Sequence, residues 1–407
     1  MQTVLFIGLV WPEPTSSAAG TRIIQLVEFF LAQQATVVFA SAAGKTPYSY
    51  PLDELGVDMV DIQLNDSRFD SFISELQPQI VVFDRFMIEE QYGWRVRQFS
   101  PHSLTILDTE DLHLLRQARQ DVSKKNLPLN LYNATAKREI AAIWRSDISL
   151  IISRQEIEIL KQHFSIPESL LYYLPFLENE IKEQEIQNWK SYSARENFMF
   201  IGNFLHAPNW HTVQRLKQEV WPLLKKRLPG AQLHIYGAYA SEKVYQLHQP
   251  KEGFLIKDRA DDARETMSNY RVLLAPIGYG AGAKGKFVDA MQTGTPSITT
   301  SVGAESMSEN GTWNGFIEDD LSLFISKAVL LYQDQLTWES AQAHGAMLLN
   351  STYGKTRIEP LFLTHIKQLL TSLPAHRQLH FIGEILHSQQ LSSHKYMSLW
   401  IEAKNKV

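Results

Sequence analysis

The stretch Leu273–Thr300, LLAPIGYGAGAKGKFVDAMQTGTPSITT, constrains the fold more than any other part of the chain. An apolar strand, Val272–Pro276, runs into a loop holding Gly278, Gly280, Gly282 and Gly285. A short amphipathic helix is predicted from about Lys286 to Gln292. Gly294 and Pro296 then break the chain, and a second strand starts at Ser297. Strand, glycine loop, helix and strand form a βαβ crossover, which implies a parallel sheet. Glycines let backbone amides approach a ligand closely, and a helix N-terminus favours an anion. Lys284 and Lys286 put positive charge where a phosphate would sit, and Asp289 rides on the helix. An ordinary βα loop with surface lysines is the competing reading.

The rest of the chain repeats the α/β pattern. Strands are predicted at Thr3–Val10, Ala35–Ala40, Met59–Ile62, Ile80–Phe83, Leu104–Leu107, Leu150–Ile152 and Leu171–Leu174. Helices are predicted between them, at Thr21–Gln33, Phe69–Leu76, Glu89–Phe99, Asn133–Arg145 and Arg154–His163. After a polar stretch, Glu178–Glu196, a second run begins with strand Asn197–Ile201, helix Val213–Leu228 and strand Gln232–Tyr236. At 407 residues the chain exceeds a usual single domain. We therefore expect two doubly wound, Rossmann-like domains, residues 1–178 and 197–372, with a linker at 179–196. A helical tail, residues 373–407, follows and can pack back on the first domain.

Composition excludes several classes. The net charge of −5 gives no global attraction to nucleic acid or anionic membrane. With no cysteine there is no disulfide and no thiolate metal site. The N-terminus lacks the basic start of a secretory signal, and no segment approaches the ~18 apolar residues of a membrane span. A cytoplasmic location is the expectation.

In open α/β sheets ligands bind beyond the carboxyl ends of the strands. The first strand leads through WPEPTSSAAGTR to a helix start, where Gly20 and Thr21 can offer amides to an anion. A plain turn capped by Thr21 reads equally well. Beyond strand Leu104–Leu107 lie Asp108, Glu110, Asp111 and His113. Acids and a histidine so close can orient sugar hydroxyls or pass a proton. Helix capping by Asp108 or Thr109 is the structural alternative. In the second half Gly202 permits close approach, and Asn203, His206 and Asn209 form a polar loop. Tyr236 ends a strand and could line a nucleotide pocket. The basic stretch Arg116–Arg138 is either a solvated helix and loop or a contact for an anionic acceptor.

These pieces carry a resemblance. FIGNFLHAPN, LHIYG, APIGYGAGAKGKFVDAMQTGTPSITT and GAES at Gly303–Ser306 resemble the nucleotide-sugar domain of family 4 glycosyltransferases, over about Asn197–Ser306. In the first half IISRQEIEIL and YYLPF are similar to that family's last strand and exit. The resemblance implies a GT-B fold, two Rossmann-like domains with parallel sheets facing a central cleft. It implies transfer of a sugar from a nucleotide diphosphate sugar, usually retaining and without a metal or other cofactor. Two departures stand out. The family often carries two glutamates eight positions apart; Asp289 stands at the second and Ala281 at the first. Asn203 and Asn209 occupy the loop where an Arg and Lys diphosphate clamp is usual.

The resulting expectation is a glycosyltransferase with an unidentified acceptor: a glycan, lipid, protein or RNA. Asp111, His113 and Asp108 are the candidate catalytic residues. Gly20, Gly202, Asn203, Tyr236, Gly280, Gly282, Lys284, Gly285, Lys286 and Asp289 are the candidate donor-binding residues. A nucleotide-sugar epimerase or phosphorylase on the same fold, or a non-catalytic nucleotide-sugar-binding protein, are the alternatives. No lysine suggests itself for a pyridoxal phosphate, which counts against a phosphorylase.

Overall fold

Two parallel sheets make up the framework of this computed structural model, which describes residues 2–308 and 311–405. The first sheet contains β1 (Thr3–Gly8), β2 (Thr36–Ser41), β3 (Asp58–Asp61), β4 (Ile80–Asp84), β5 (Leu104–Asp108), β6 (Ile148–Ile151) and β7 (Leu171–Tyr173). Its order is β3-β2-β1-β4-β5-β6-β7. The second contains β8 (Glu196–Ile201), β9 (Leu233–Tyr236), β10 (Phe254–Ile256), β11 (Tyr270–Ala275), β12 (Ser297–Thr299) and β13 (Gly315–Ile317), in the order β10-β9-β8-β11-β12-β13. In each sheet the winding reverses next to the first strand, between β1 and β4 and between β8 and β11. A crevice opens at such a switch point, beyond the strand carboxyl ends. The doubly wound, two-domain α/β expectation is met.

Apolar runs explain the strands. Val4–Ile7, Ile80–Phe83 and Val272–Ala275 are wholly buried, as strands covered on both faces must be. The helix Ala18–Ala32 starts three residues before the predicted Thr21, because the Ser17 hydroxyl accepts from the Gly20 amide at 3.1 Å. The helix expected from Val213 starts instead at Ala207, with Pro208 in its first turn, where a missing amide hydrogen is harmless. It continues through a π turn, Leu216–Val220, into Trp221–Arg227.

The chain ends in two long helices, Lys355–Leu379 and Phe381–Asn405. Ile358, Phe362, Ile366, Leu369 and Leu373 of the first join the core on one face of the first sheet. The Phe362 ring lies 4.9 Å from that of Phe29, and burying such a ring contributes on the order of 2–3 kcal/mol. Arg377 grips the buried Asp147 carboxylate at 2.7 and 2.8 Å. The second helix hydrogen-bonds the Arg145 carbonyl through His387 at 2.7 Å. The C-terminus thus returns to the first sheet and ties the two halves together. Among the described residues no helix is long and apolar enough to cross a membrane.

Candidate active site

A cleft of about 710 Å³ lies between the halves, walled by the carboxyl ends of β1, β4 and β5 on one side and β8, β9 and β11 on the other. Two helix N-termini meet in it. A Cβ built on Gly285, the first residue of helix Gly285–Gln292, would stand 2.5 Å from the Cβ of Ala18. Only glycine lets these ends approach so closely, and both helix dipoles then favour an anion in the same place.

Lys284 and Lys286 line the cleft at this point. The Lys286 ammonium donates to Asn209 Oδ1 at 2.8 Å, and that of Lys284 to the Gly282 carbonyl at 2.8 Å. Burial pushes Lys284 down to about 8. Burial and the charge of Lys284 push Lys286 down to about 7. Two desolvated ammonium groups next to two helix N-termini form a site that an anion would complete. Gly202, Asn203 and Asn209 form its floor: Asn209 Nδ2 donates to the Asn203 carbonyl at 2.9 Å, and a Cβ on Gly202 would strike the Asn209 amide at 2.6 Å. His206 lines the cleft too.

Gly280 lines the cleft, and its carbonyl accepts from Arg119 of the first half at 2.8 Å. Asp289 also faces it, but is not free: Arg264 Nε donates to its carboxylate at 2.8 Å, while Arg264 Nη2 holds both oxygens of Glu178 at 2.9 Å. Burial raises the Asp289 carboxyl against the pull of Arg264.

Two of the expected donor residues are placed differently, and a third lines the cleft with its amide engaged. Tyr236 turns away, its hydroxyl 2.8 Å from that of Tyr270, because alternate residues of β9 point to opposite faces and Tyr236 shares the face of His234. Gly20 lines the cleft, but its amide is already engaged by Ser17, and a Cβ there would meet the Glu13 backbone at 2.4 Å. Gly282 does not line the cleft wall but seals it. With φ +65 it donates to Glu156 Oε1 at 2.8 Å and abuts Asp111 of the other half.

On the first-half wall Asp108 is fully buried, its carboxylate held by Arg22 Nε at 2.9 and 3.1 Å. It supports the wall and does not face the cleft, which corrects its expected catalytic place. Asp111 and His113 do line the cleft. Burial opposes ionisation of Asp111, yet Arg116, at 2.7 Å, and His113 outweigh it and hold the carboxyl down at about 2. His113 Nδ1 lies 3.1 Å from the Asp111 carbonyl and 3.3 Å from Glu139.

Sequence reasoning missed the residues that bridge the cleft. Tyr239 donates to Glu13 at 2.7 Å, Arg119 pairs with Glu305 at 2.6 Å, and Glu156 accepts from both Leu112 at 3.1 Å and Gly282. Burial and the Asp111 charge push Glu156 up to about 8. Each pair joins segments far apart in the chain, so no local spacing announces it. Among the described residues no group of three His, Asp or Glu side chains is placed to hold a metal ion.

Residues 195–334 match the family model Glycosyl transferases group 1. Sucrose-phosphate synthase from Thermosynechococcus elongatus is similar in structure, with a TM-score of 0.67 and 15% identity, over 91% of this chain and 100% of that one. HepE from Anabaena, solved in complex with UDP-glucose, has a TM-score of 0.68 at 10% identity, over 91% and 100%. The pneumococcal O-GlcNAc transferase GtfA, in complex with UDP and GlcNAc, has a TM-score of 0.66 at 12% identity, over 91% and 99%. No curated protein sequence matches the chain. The fold is GT-B, and the matched segment carries the glycine loop, both lysines and Asp289.

Proposed function

We propose that the chain is a nucleotide-sugar-dependent glycosyltransferase that moves a sugar from a UDP-sugar to an acceptor. The observation that carries this reading is the meeting of two helix N-termini beside Lys284 and Lys286 at the bottom of the cleft. A nucleoside diphosphate is the leaving group of sugar transfer, and its charge grows as the glycosidic bond breaks. Preorganised donors and cations aimed at that charge are the largest expected source of rate. The UDP-bound state of HepE and GtfA supports the choice of nucleotide.

The finer reading is a retaining, metal-independent enzyme of family 4. Residues 197–372 hold the donor and residues 1–178 the acceptor. Lys284, Lys286 and the helix ends would supply the positive charge that a metal supplies in other transferases. Asp289, clamped by Arg264, would accept from the ribose. Asp111, kept ionised by Arg116, and His113 would meet the acceptor or the transferred sugar.

Thermal unfolding with UDP, GDP and ADP tests the nucleotide. A ligand at 100 times its Kd adds about 2.7 kcal/mol of stability. UDP should raise the Tm; no shift with any nucleoside diphosphate would count against the reading.

A further inference from the structure

The carboxyl ends of β4 and β5 carry a feature that the nucleotide site does not use. The strands pair with Asp84 opposite Asp108, and the Arg85 amide donates to the Asp108 carbonyl at 2.8 Å. Arg85, at φ 72 and ψ 159, occupies a backbone region that belongs almost exclusively to glycine. Glu110, beside it, has φ 65. Two adjacent non-glycine residues in such conformations cost about 1–3 kcal/mol each, and strain of this kind concentrates at functional sites. Both side chains line the cleft. Glu110 Oε1 is out of solvent and has no hydrogen-bond partner, whereas Asp84 Oδ1 is ion-paired with Arg85 Nε at 3.6 Å. A buried polar atom without a partner costs stability that a bound ligand can restore.

The position of Glu110 indicates which part of a ligand it would meet. A Cβ on Gly282 would lie 3.4 Å from the Glu110 carbonyl oxygen, so Glu110 stands against the glycine loop that carries Lys284. A diphosphate seated at Lys284 and Lys286 has two substituents. Asp289 and Arg264, on the second half, suit the ribose; Glu110 is on the opposite wall.

We propose that Glu110, beside the strained Arg85 turn, hydrogen-bonds a hydroxyl of the transferred sugar and is a substrate-touching residue of the reaction. This rests on the nucleotide-sugar reading of the same cleft. Burial, then the charge of Asp108, pushes the Glu110 carboxyl up to about 8. In the neutral form that this favours, it can both donate through its O–H and accept through its carbonyl oxygen. Its carboxylate neighbours Asp108 and Asp111 are each neutralised by an arginine, Arg22 and Arg116. Arg85, paired with Asp84, also acts on Glu110 through its charge, but Glu110 Oε1 is left without a hydrogen bond.

The test compares UDP, UDP-glucose and UDP-GlcNAc by calorimetry in wild type, Glu110→Ala and Glu110→Gln. One hydrogen bond corresponds to about a fivefold change in affinity. Glu110→Ala should bind UDP as wild type does but bind the preferred UDP-sugar about fivefold more weakly. Glu110→Gln, whose amide still donates and accepts, should stay within about twofold of wild type for both. Wild-type affinity for the UDP-sugar in Glu110→Ala, with UDP binding intact, would overturn the proposal. If Glu110→Ala fails to fold, Glu110→Leu and Glu110→Gln form the comparison, and equal UDP-sugar affinity in those two would overturn it. Absence of UDP binding in wild type would instead sink the nucleotide-sugar reading itself.

Discussion

Gly282 and Asp111 touch across the cleft, where a Cβ on the glycine would stand 2.7 Å from the Cβ of the aspartate. The contact joins the glycine loop to the first half and fixes how close the two walls come. Gly282→Ala adds both a clash and backbone strain at φ +65. Misplacing reacting groups by about 1 Å can cost ~100-fold in rate. Turnover in Gly282→Ala should fall by about that factor, with UDP affinity reduced far less. Asp111→Asn and His113→Ala should also lose at least ~100-fold in turnover while retaining UDP binding. A folded variant with full turnover would remove that residue from the account.

Lys284 and Lys286 should each matter to the diphosphate. Charge-assisted hydrogen bonds are worth roughly 1.5–3 kcal/mol, so either alanine variant should weaken UDP binding about tenfold or more. The sign of the pH dependence follows from the free state. Burial holds the two ammonium groups down at about 8 and about 7. A diphosphate favours their charged forms and raises both values, so binding at pH 8 should take up protons. UDP, with its last phosphate ionisation near pH ~6, is itself fully charged there. Calorimetry in buffers of different ionisation enthalpy measures the uptake. Zero uptake, or release, at pH 8 contradicts the assignment.

Asp289 should read the ribose. Asp289→Ala is expected to lower affinity for UDP more than for its 2′,3′-dideoxy analogue. Equal losses would show that the carboxylate serves only to hold Arg264.

Arg377 anchors the returning C-terminal helix through Asp147. Thr105 also donates to Asp147, from its amide and hydroxyl, both at 2.8 Å. Arg377→Met leaves the buried carboxylate without its countercharge and should cost about 3 kcal/mol of stability. Burial opposes ionisation of Asp147, but Arg377 and Thr105 prevail and lower its pKa. Its stabilising contribution is thus present above the ordinary aspartate range and lost as pH falls through the depressed value. Chemical denaturation at pH 7 and pH 3 should show a smaller gap between wild type and Arg377→Met at the lower pH.

The glycine loop was legible because glycine, lysine and strand-break signals lie within a few residues of each other. The buried strands were legible from their unbroken apolar runs. Strands β10 and β13 were not read, since three residues carry too little pattern. The helix His113–Lys125 was read only as part of a solvated basic stretch, without bounds, because it buries only Leu114, Leu115 and Ala118 and has no side-chain cap. Pro360 and Pro374 obscured the helix Lys355–Leu379, although Ile358, Phe362, Ile366, Leu369 and Leu373 keep helical spacing. In the site, the sequence placed Asp111, His113 and the lysines near strand ends, which is where they lie. It had no means of showing that Asp108 belongs to Arg22, 86 residues away, or that Tyr236 faces away from the cleft. Pairing between distant segments is a property of tertiary packing.

The most direct measurement is release of UDP from UDP-glucose and UDP-GlcNAc by the purified protein, with water or an added sugar as acceptor. The account predicts UDP formation from at least one donor by the wild type, and its loss by at least ~100-fold when Lys284 and Lys286 are both replaced by alanine. A folded wild type that neither binds UDP nor releases it from either donor, or a double variant as active as wild type, would contradict it.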